Sequence, residues 1–162
     1  STFARLIAPG LGASPGAVVL RTDEVRKRLM GVPPDSRLPA TAYGPGFYEQ
    51  VYDTLFSEAA QALAAGRAVV LDATFISPEL RGRAGALARR AGVPFAGVWL
   101  EAPAEILAAR IGARHGDASD ATVETLQMQI DREVGDIAWT RVDASGPAAE
   151  AAEAWSHLQT SV

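Results

Sequence analysis

The chain has 162 residues, 48% hydrophobic and 21% charged, which suits one globular domain with a sizeable core rather than a disordered segment. Its 15 Lys+Arg against 19 Asp+Glu leave a net charge of −4, which argues against a strongly basic nucleic-acid binder. With no cysteine and only two histidines, His115 and His157, the chain offers no disulfide framework, cysteine zinc site, thiol nucleophile or multi-histidine metal cage.

Apolar periodicity and punctuation divide the sequence into alternating helices and strands. Thr2–Ala8 predicts a helix with Phe3, Leu6 and Ile7 on one face, stopped by Pro9-Gly10. Ala17–Leu20 is a short, wholly apolar run, the pattern of a strand buried on both faces. Asp23–Met30 follows as a helix with Asp23 at its N-terminus, and it holds Lys27, the one lysine of the chain. Gly31–Gly46 carries prolines and glycines without apolar period, a loop long enough to serve binding. Phe47–Ala65 is a helix with Val51, Leu55, Phe56, Ala59 and Leu63 along one stripe. Ala68–Leu71 is a second buried strand leading into Asp72, and Pro78 opens a further helix with Leu80, Ala84, Leu87 and Ala91 inward. Phe95–Leu100 makes a third strand, Ala104–Ala113 a helix, 114–121 a polar stretch, and Thr122–Val134 another helix. Trp139–Val142 and Pro147–Leu158 close the series as strand and helix. Strands alternating with helices imply right-handed crossovers and a parallel sheet, so the expected fold is a single three-layer α/β/α domain over residues 1–162. No apolar run approaches the ~18 residues of a membrane span and no signal-peptide pattern opens the sequence; a soluble, cytoplasmic domain is expected.

In open α/β sheets ligands bind beyond the carboxyl ends of the strands, and Asp23 and Asp72 both fall there. Such a pair suits water-mediated magnesium binding or acceptance of a proton from an attacking hydroxyl; the plainer reading makes them a helix cap and a turn residue. Arg26, one turn beyond Asp23, can grip an anion or lie solvated on its helix. Arg110 and Arg114, four apart on one helix face, suit phosphate oxygens, or equally a helix C-terminus, where cations are favoured. His115 reads as a surface residue, and Trp99, Trp139 and Trp155 read as packing residues. Glu101 has no evident chemical partner and is placed to cap the helix behind Pro103.

Ser1-Thr2-Phe3-Ala4-Arg5-Leu6 resembles the end of a Walker A motif running into its helix. Arg21-Thr22-Asp23-Glu24-Val25-Arg26, Leu71-Asp72-Ala73-Thr74-Phe75 and Arg110-Ile111-Gly112-Ala113-Arg114 then follow in the order seen in small P-loop kinases. Over nearly its whole length the chain resembles the AAA-type predicted kinases similar to polynucleotide kinase and zeta toxin. Gly116–Thr122 looks like the domain fused to an aminoglycoside-phosphotransferase-like module in some bacteria. The resemblance implies a P-loop NTPase kinase-like fold, ATP and Mg2+ as cofactors, and transfer of the γ-phosphoryl group to a hydroxyl. It implies Ser1 and Asp72 as metal-supporting residues, Ser1 and Thr2 with Arg110 and Arg114 as nucleotide-binding residues, and Asp23 as the carboxylate that activates the acceptor. Arg26 would bind an acceptor anion, and Arg110 and Arg114 would neutralise the transferred group from a lid at about 114–121.

The glycine-rich loop and lysine of Walker A do not occur in these residues, and Lys27 does not substitute for that lysine, having no glycine loop before it. The chain is therefore expected to be a fragment of a longer one whose missing part holds that loop and a central strand. The implied partners are a nucleotide and a small-molecule acceptor, with an attached phosphotransferase-like domain and without membrane or nucleic acid. A non-catalytic nucleotide-binding module and a zeta-toxin-like sugar-nucleotide kinase stand as alternatives.

Overall fold

A computed structural model describes residues 1–113 and 134–160. Arg114, His115, the polar stretch 114–121 and residues 122–133 of an expected helix lie outside the described residues; Val134 is not helical. The helices are α1 (Thr2–Ile7), α2 (Thr22–Leu29), α3 (Pro45–Ala64), α4 (Pro78–Ala91), α5 (Ala104–Gly112) and α6 (Ala148–Thr160). The strands are β1 (Val18–Arg21), β2 (Val69–Asp72), β3 (Val98–Glu101) and β4 (Thr140–Asp143). Each falls within a few residues of its expected place, because proline at the first turn of α3 and of α4 and the apolar runs of β1 and β2 are local signals.

The layers follow from side-chain alternation along the strands. Val69 and Leu71 of β2 pack against Val25 of α2, Val51, Tyr52, Leu55, Phe56 and Ala59 of α3, and Leu80, Ala84 and Leu87 of α4. Val70 turns to the other face, where Phe3 and Ile7 of α1 meet Ala151, Ala152 and Trp155 of α6, with Val98 of β3 and Val142 of β4. Helices thus cover both faces of a parallel β layer.

That layer is not one continuous sheet. β1 pairs with β2 in register Val18↔Val69 to Arg21↔Asp72, β3 pairs with β4 in register Val98↔Thr140 to Glu101↔Asp143, and no ladder joins the two pairs among the described residues. The strands expected to be fully buried are consequently half-buried along Val18–Leu20 and Val69–Asp72, and Leu100 is exposed. The pairs meet instead through side chains: Phe75, just after β2, stands edge-on to Trp139 with ring centroids 5.2 Å apart, and Trp139 also meets Phe95. Gly97 leaves no room for a β-carbon beside the Trp139 indole, so a glycine is required where the ring lies against the chain.

Candidate functional site

The parallel register puts Arg21, the last residue of β1, beside Asp72, the last of β2. Arg21 is only 3% exposed, and a charge so buried persists only when paired. Its Nε donates to Asp72 Oδ2 at 3.2 Å, its Nη1 to Glu24 Oε1 at 3.0 Å and its Nη2 to Ser1 Oγ at 2.7 Å. One guanidinium therefore gathers Ser1, Glu24 and Asp72 at the carboxyl edge of the first strand pair. Thr2, which begins α1, is exposed beside Ser1.

The chain turns directly from β1 into α2, so Asp23 lies in the first helical turn at the same edge, where the helix dipole favours an anion. Arg26 Nη1 donates to Asp23 Oδ1 at 3.2 Å, the one-turn contact expected of i,i+3 residues. The Arg26 guanidinium lies 4.7 Å from the centre of the Tyr43 ring, a cation–π contact made by the short 3-10 turn Ala40–Tyr43 of the long loop. Arg26 Nε is buried without a hydrogen-bond partner among the described residues. Lys27, on the adjoining face of α2, is 2% exposed and donates from Nζ to the Pro34 carbonyl at 2.8 Å, tying the same loop down.

The turn after β2 is held from α3. Phe75 has φ of +46°, a left-handed conformation costly for a bulky residue. The Tyr52 hydroxyl bonds to the Thr74 and Tyr48 side chains and to the Phe75 backbone, and burial pushes its pKa well above the ordinary 10.0. Native Tyr52 thus keeps its proton at a pH where an unfolded chain has lost it, so stability is complete below the ordinary value and falls as pH rises beyond it. Chemical denaturation of the parent and of Tyr52→Phe, at neutral pH and above the ordinary tyrosine value, tests this. Tyr52→Phe costs about 1–2 kcal/mol at neutral pH through its lost hydrogen bonds, and that gap narrows in alkali; a gap independent of pH contradicts it.

Arg110 belongs to the second strand pair. Its guanidinium donates to the carbonyls of Ala144, Ser145 and Gly146, at 2.8 Å for Ser145 and 2.6 Å for Gly146, and so fixes the loop that follows β4. Beside it an open cavity of about 420 Å³ is lined by Glu101, Ala102, Pro103, Arg141, Asp143 and Ser145. Glu101 is paired with Arg141, and α5 has no side-chain cap, so the expected capping role of Glu101 is not taken up. Hydrogen bonds from the Ser145 side chain and backbone hold the Asp143 carboxyl below the usual range.

Sequence reasoning put Asp23 and Arg26 one turn apart on one helix and Asp72 at the end of a strand, where they lie, and it did not single out the Asp23–Arg26 ion pair or the parts played by Arg21, Lys27 and Tyr52. Two of these had a signal: an arginine ending an apolar strand at the ligand-binding edge, and a lone lysine in a chain whose other cations are arginines.

The chain is similar to known proteins in sequence and in fold. A family profile described as an AAA domain matches residues 1–133. An uncharacterized protein of Mycobacterium bovis and uncharacterized proteins of two Mycobacterium tuberculosis strains are each 31% identical over 147 residues, covering 87% of this chain. The chain spans 29% of the length of these curated relatives. A crystal structure of a gluconokinase from Sinorhizobium meliloti 1021 superposes with a TM-score of 0.57 at 21% identity, over 99% of this chain and 87% of the other. No helix among the described residues is long and apolar enough to cross a membrane. From the family match and the shared architecture, the chain belongs to the AAA domain family and has the fold of a P-loop kinase.

Proposed function

We propose that this domain takes part in transfer of the γ-phosphoryl group of ATP to a hydroxyl of a small-molecule acceptor, in the cytoplasm. The observation that carries the reading is the placement of Asp23–Arg26 and Ser1–Arg21–Asp72 at the carboxyl ends of two adjacent parallel strands.

In this reading Asp23 takes the acceptor's proton as the acceptor oxygen bonds to the γ-phosphorus. The bond from that phosphorus to the β–γ bridging oxygen breaks, and ADP leaves. Arg26 orients Asp23 and offers its unsatisfied Nε–H to an acceptor anion, with Tyr43 over the guanidinium as the part of the loop that must yield to admit one. Ser1 and Asp72 are the residues for Mg2+. A hydroxyl and a carboxylate are the hard oxygen donors that Mg2+ takes alongside waters and phosphates, and Arg21, which bonds to both, would have to yield part of those contacts to the ion. When bound, the ion would neutralise charge developing on the phosphates. Ser1 and Thr2 would face the phosphates, Arg110 would shape the nucleotide side through the Ala144–Gly146 loop, and Arg114 is proposed to act with it as a lid arginine. A small acceptor is favoured over a polynucleotide, because Phe75, Trp139 and Trp155 pack inward rather than along the cleft. An attached domain is in keeping with the greater length of the relatives.

Calorimetry on the natural protein that carries these residues, with any flanking sequence it has, tests nucleotide use. ATP binding that Mg2+ strengthens is expected. Failure of ATP to bind with or without Mg2+ overturns the reading.

A further inference from the structure

On the acceptor side, the chain itself covers the group that an acceptor would meet. The Arg26 guanidinium is buried, with Nη1 on Asp23 Oδ1 at 3.2 Å and the Tyr43 ring over its face at 4.7 Å. Its Nε is buried with no hydrogen-bond partner among the described residues. A buried N–H without an acceptor is unfavourable, and folded proteins seldom keep one that no ligand or water completes. An aromatic ring compensates a cation only in part, since a hydrogen bond to a charged oxygen is the stronger contact. Arg26 is thus an arginine that an oxyanion would take over from Tyr43.

The loop fixes where the ring stands. Ala42 is buried and roots the turn Ala40–Tyr43 in the protein, and buried Lys27 ties an earlier part of the loop through the Pro34 carbonyl at 2.8 Å. Tyr43 itself is 42% exposed, so rotation of one side chain into solvent uncovers Arg26 without opening the loop. The guanidinium also sets a spacing. Its Nε–H points away from Nη1, so an oxyanion on Nε lies roughly 7 Å from the Asp23 carboxylate, given ordinary hydrogen-bond lengths on either side of the planar fork.

We propose that Tyr43 is the gating residue of the acceptor site: its ring holds the place on Arg26 that is taken, in the complex, by an oxyanion of the acceptor several bonds from the reacting hydroxyl. The substrate class rests on the phosphotransfer reading of Asp23 and Arg26; the competition between ring and oxyanion does not require transfer to occur. A carboxylate or phosphate oxygen brings to Nε a hydrogen bond charged at both ends, which offsets the departure of the ring. A neutral hydroxyl brings less and leaves Arg26 covered. The apparent affinity for an oxyanion is lowered by the fraction of molecules in which the ring stands over Arg26.

Inorganic phosphate serves as the probe, and an arginine-selective dicarbonyl reagent followed by peptide mass spectrometry reads Arg26 separately from every other arginine of the natural protein. Arg26 should be modified faster in Tyr43→Ala than in the parent, and phosphate should protect it in both. The phosphate concentration that halves its modification is expected to be about two- to fivefold lower in Tyr43→Ala, the equivalent of a partly exposed cation–π contact. Tyr43→Phe, which keeps the ring, should match the parent. An equal or higher concentration in Tyr43→Ala overturns the competition, and so does an Arg26 that phosphate leaves unprotected. A panel of neutral polyols, each with carboxylate and phosphate counterparts, then tests the class with Mg·ATP. Transfer to members whose anion lies several bonds from the reacting hydroxyl is expected. Transfer confined to neutral members, or to those with anion and hydroxyl on neighbouring atoms, overturns it. Phosphate protection of Arg26 without transfer to any member counts against the phosphotransfer reading and leaves the gate standing.

Discussion

Replacing Asp23 by alanine lowers phosphoryl transfer by about 10²–10⁴-fold, the usual contribution of a positioned general base, and leaves the affinity for Mg·ATP essentially unchanged. The asymmetry follows from where Asp23 stands. It is in the first turn of α2 and accepts from Arg26, whereas Ser1 and Asp72 are held by Arg21, so the Ser1–Arg21–Asp72 contacts are expected to stay in its absence. A local cost falls on Arg26, which is 6% exposed and loses the Asp23 carboxylate while keeping the Tyr43 ring over it. Thermal denaturation of the variant separates the two effects. A small fall in Tm with a large fall in kcat is the expected pattern, whereas parent-like turnover removes Asp23 from the reaction.

Replacing Asp72 by asparagine has a different signature, because Asp72 serves both the fold and the proposed metal. Arg21 is almost fully buried, and both Asp72 and Glu24 supply it with carboxylate contacts. Loss of the charge-assisted bond costs about 1.5–3 kcal/mol, with the asparagine oxygen still able to accept from Nε. At the site, an amide oxygen is a weaker ligand for a hard dication than a carboxylate, so the strengthening of ATP binding by Mg2+ should shrink and kcat fall with it. Magnesium titrations of ATP binding in the parent and in Asp72→Asn check this. Equal magnesium dependence in the two proteins would assign Asp72 to the fold alone.

Much of this was legible in the sequence because the signals are local. The stripe Val51–Leu55–Phe56–Ala59 on α3 is an i, i+4 pattern, and Pro78 marks a helix start, while Pro45, assigned to the loop, in fact opens α3. The order of carboxylates at strand ends followed from the alternation itself, since an acid after an apolar run in a parallel layer arrives at the ligand-binding edge. Which strand pairs with which was not legible, because Val69–Leu71 reads the same beside one neighbour or two. Buried cations were also hidden. Lys27 and Arg81 sit on polar stretches of helix that periodicity assigns to solvent, yet both are buried, accepted by the nearby carbonyls of Pro34, Phe75 and Ile76 and, for Arg81, by those of the distant Val134 and Asp136. The same holds for the strain at Phe75, set by Tyr52, Arg81 and Trp139 together.

The most direct measurement supplies the natural protein with ATP carrying heavy oxygen in its γ-phosphate, together with a small-molecule extract, and searches the products by mass spectrometry. A phosphomonoester bearing the heavy phosphoryl group, formed by the parent and missing from the Asp23→Ala reaction, is the expected result. A parent that binds Mg·ATP and leaves every acceptor unlabelled would contradict phosphoryl transfer and make the domain a nucleotide-binding module.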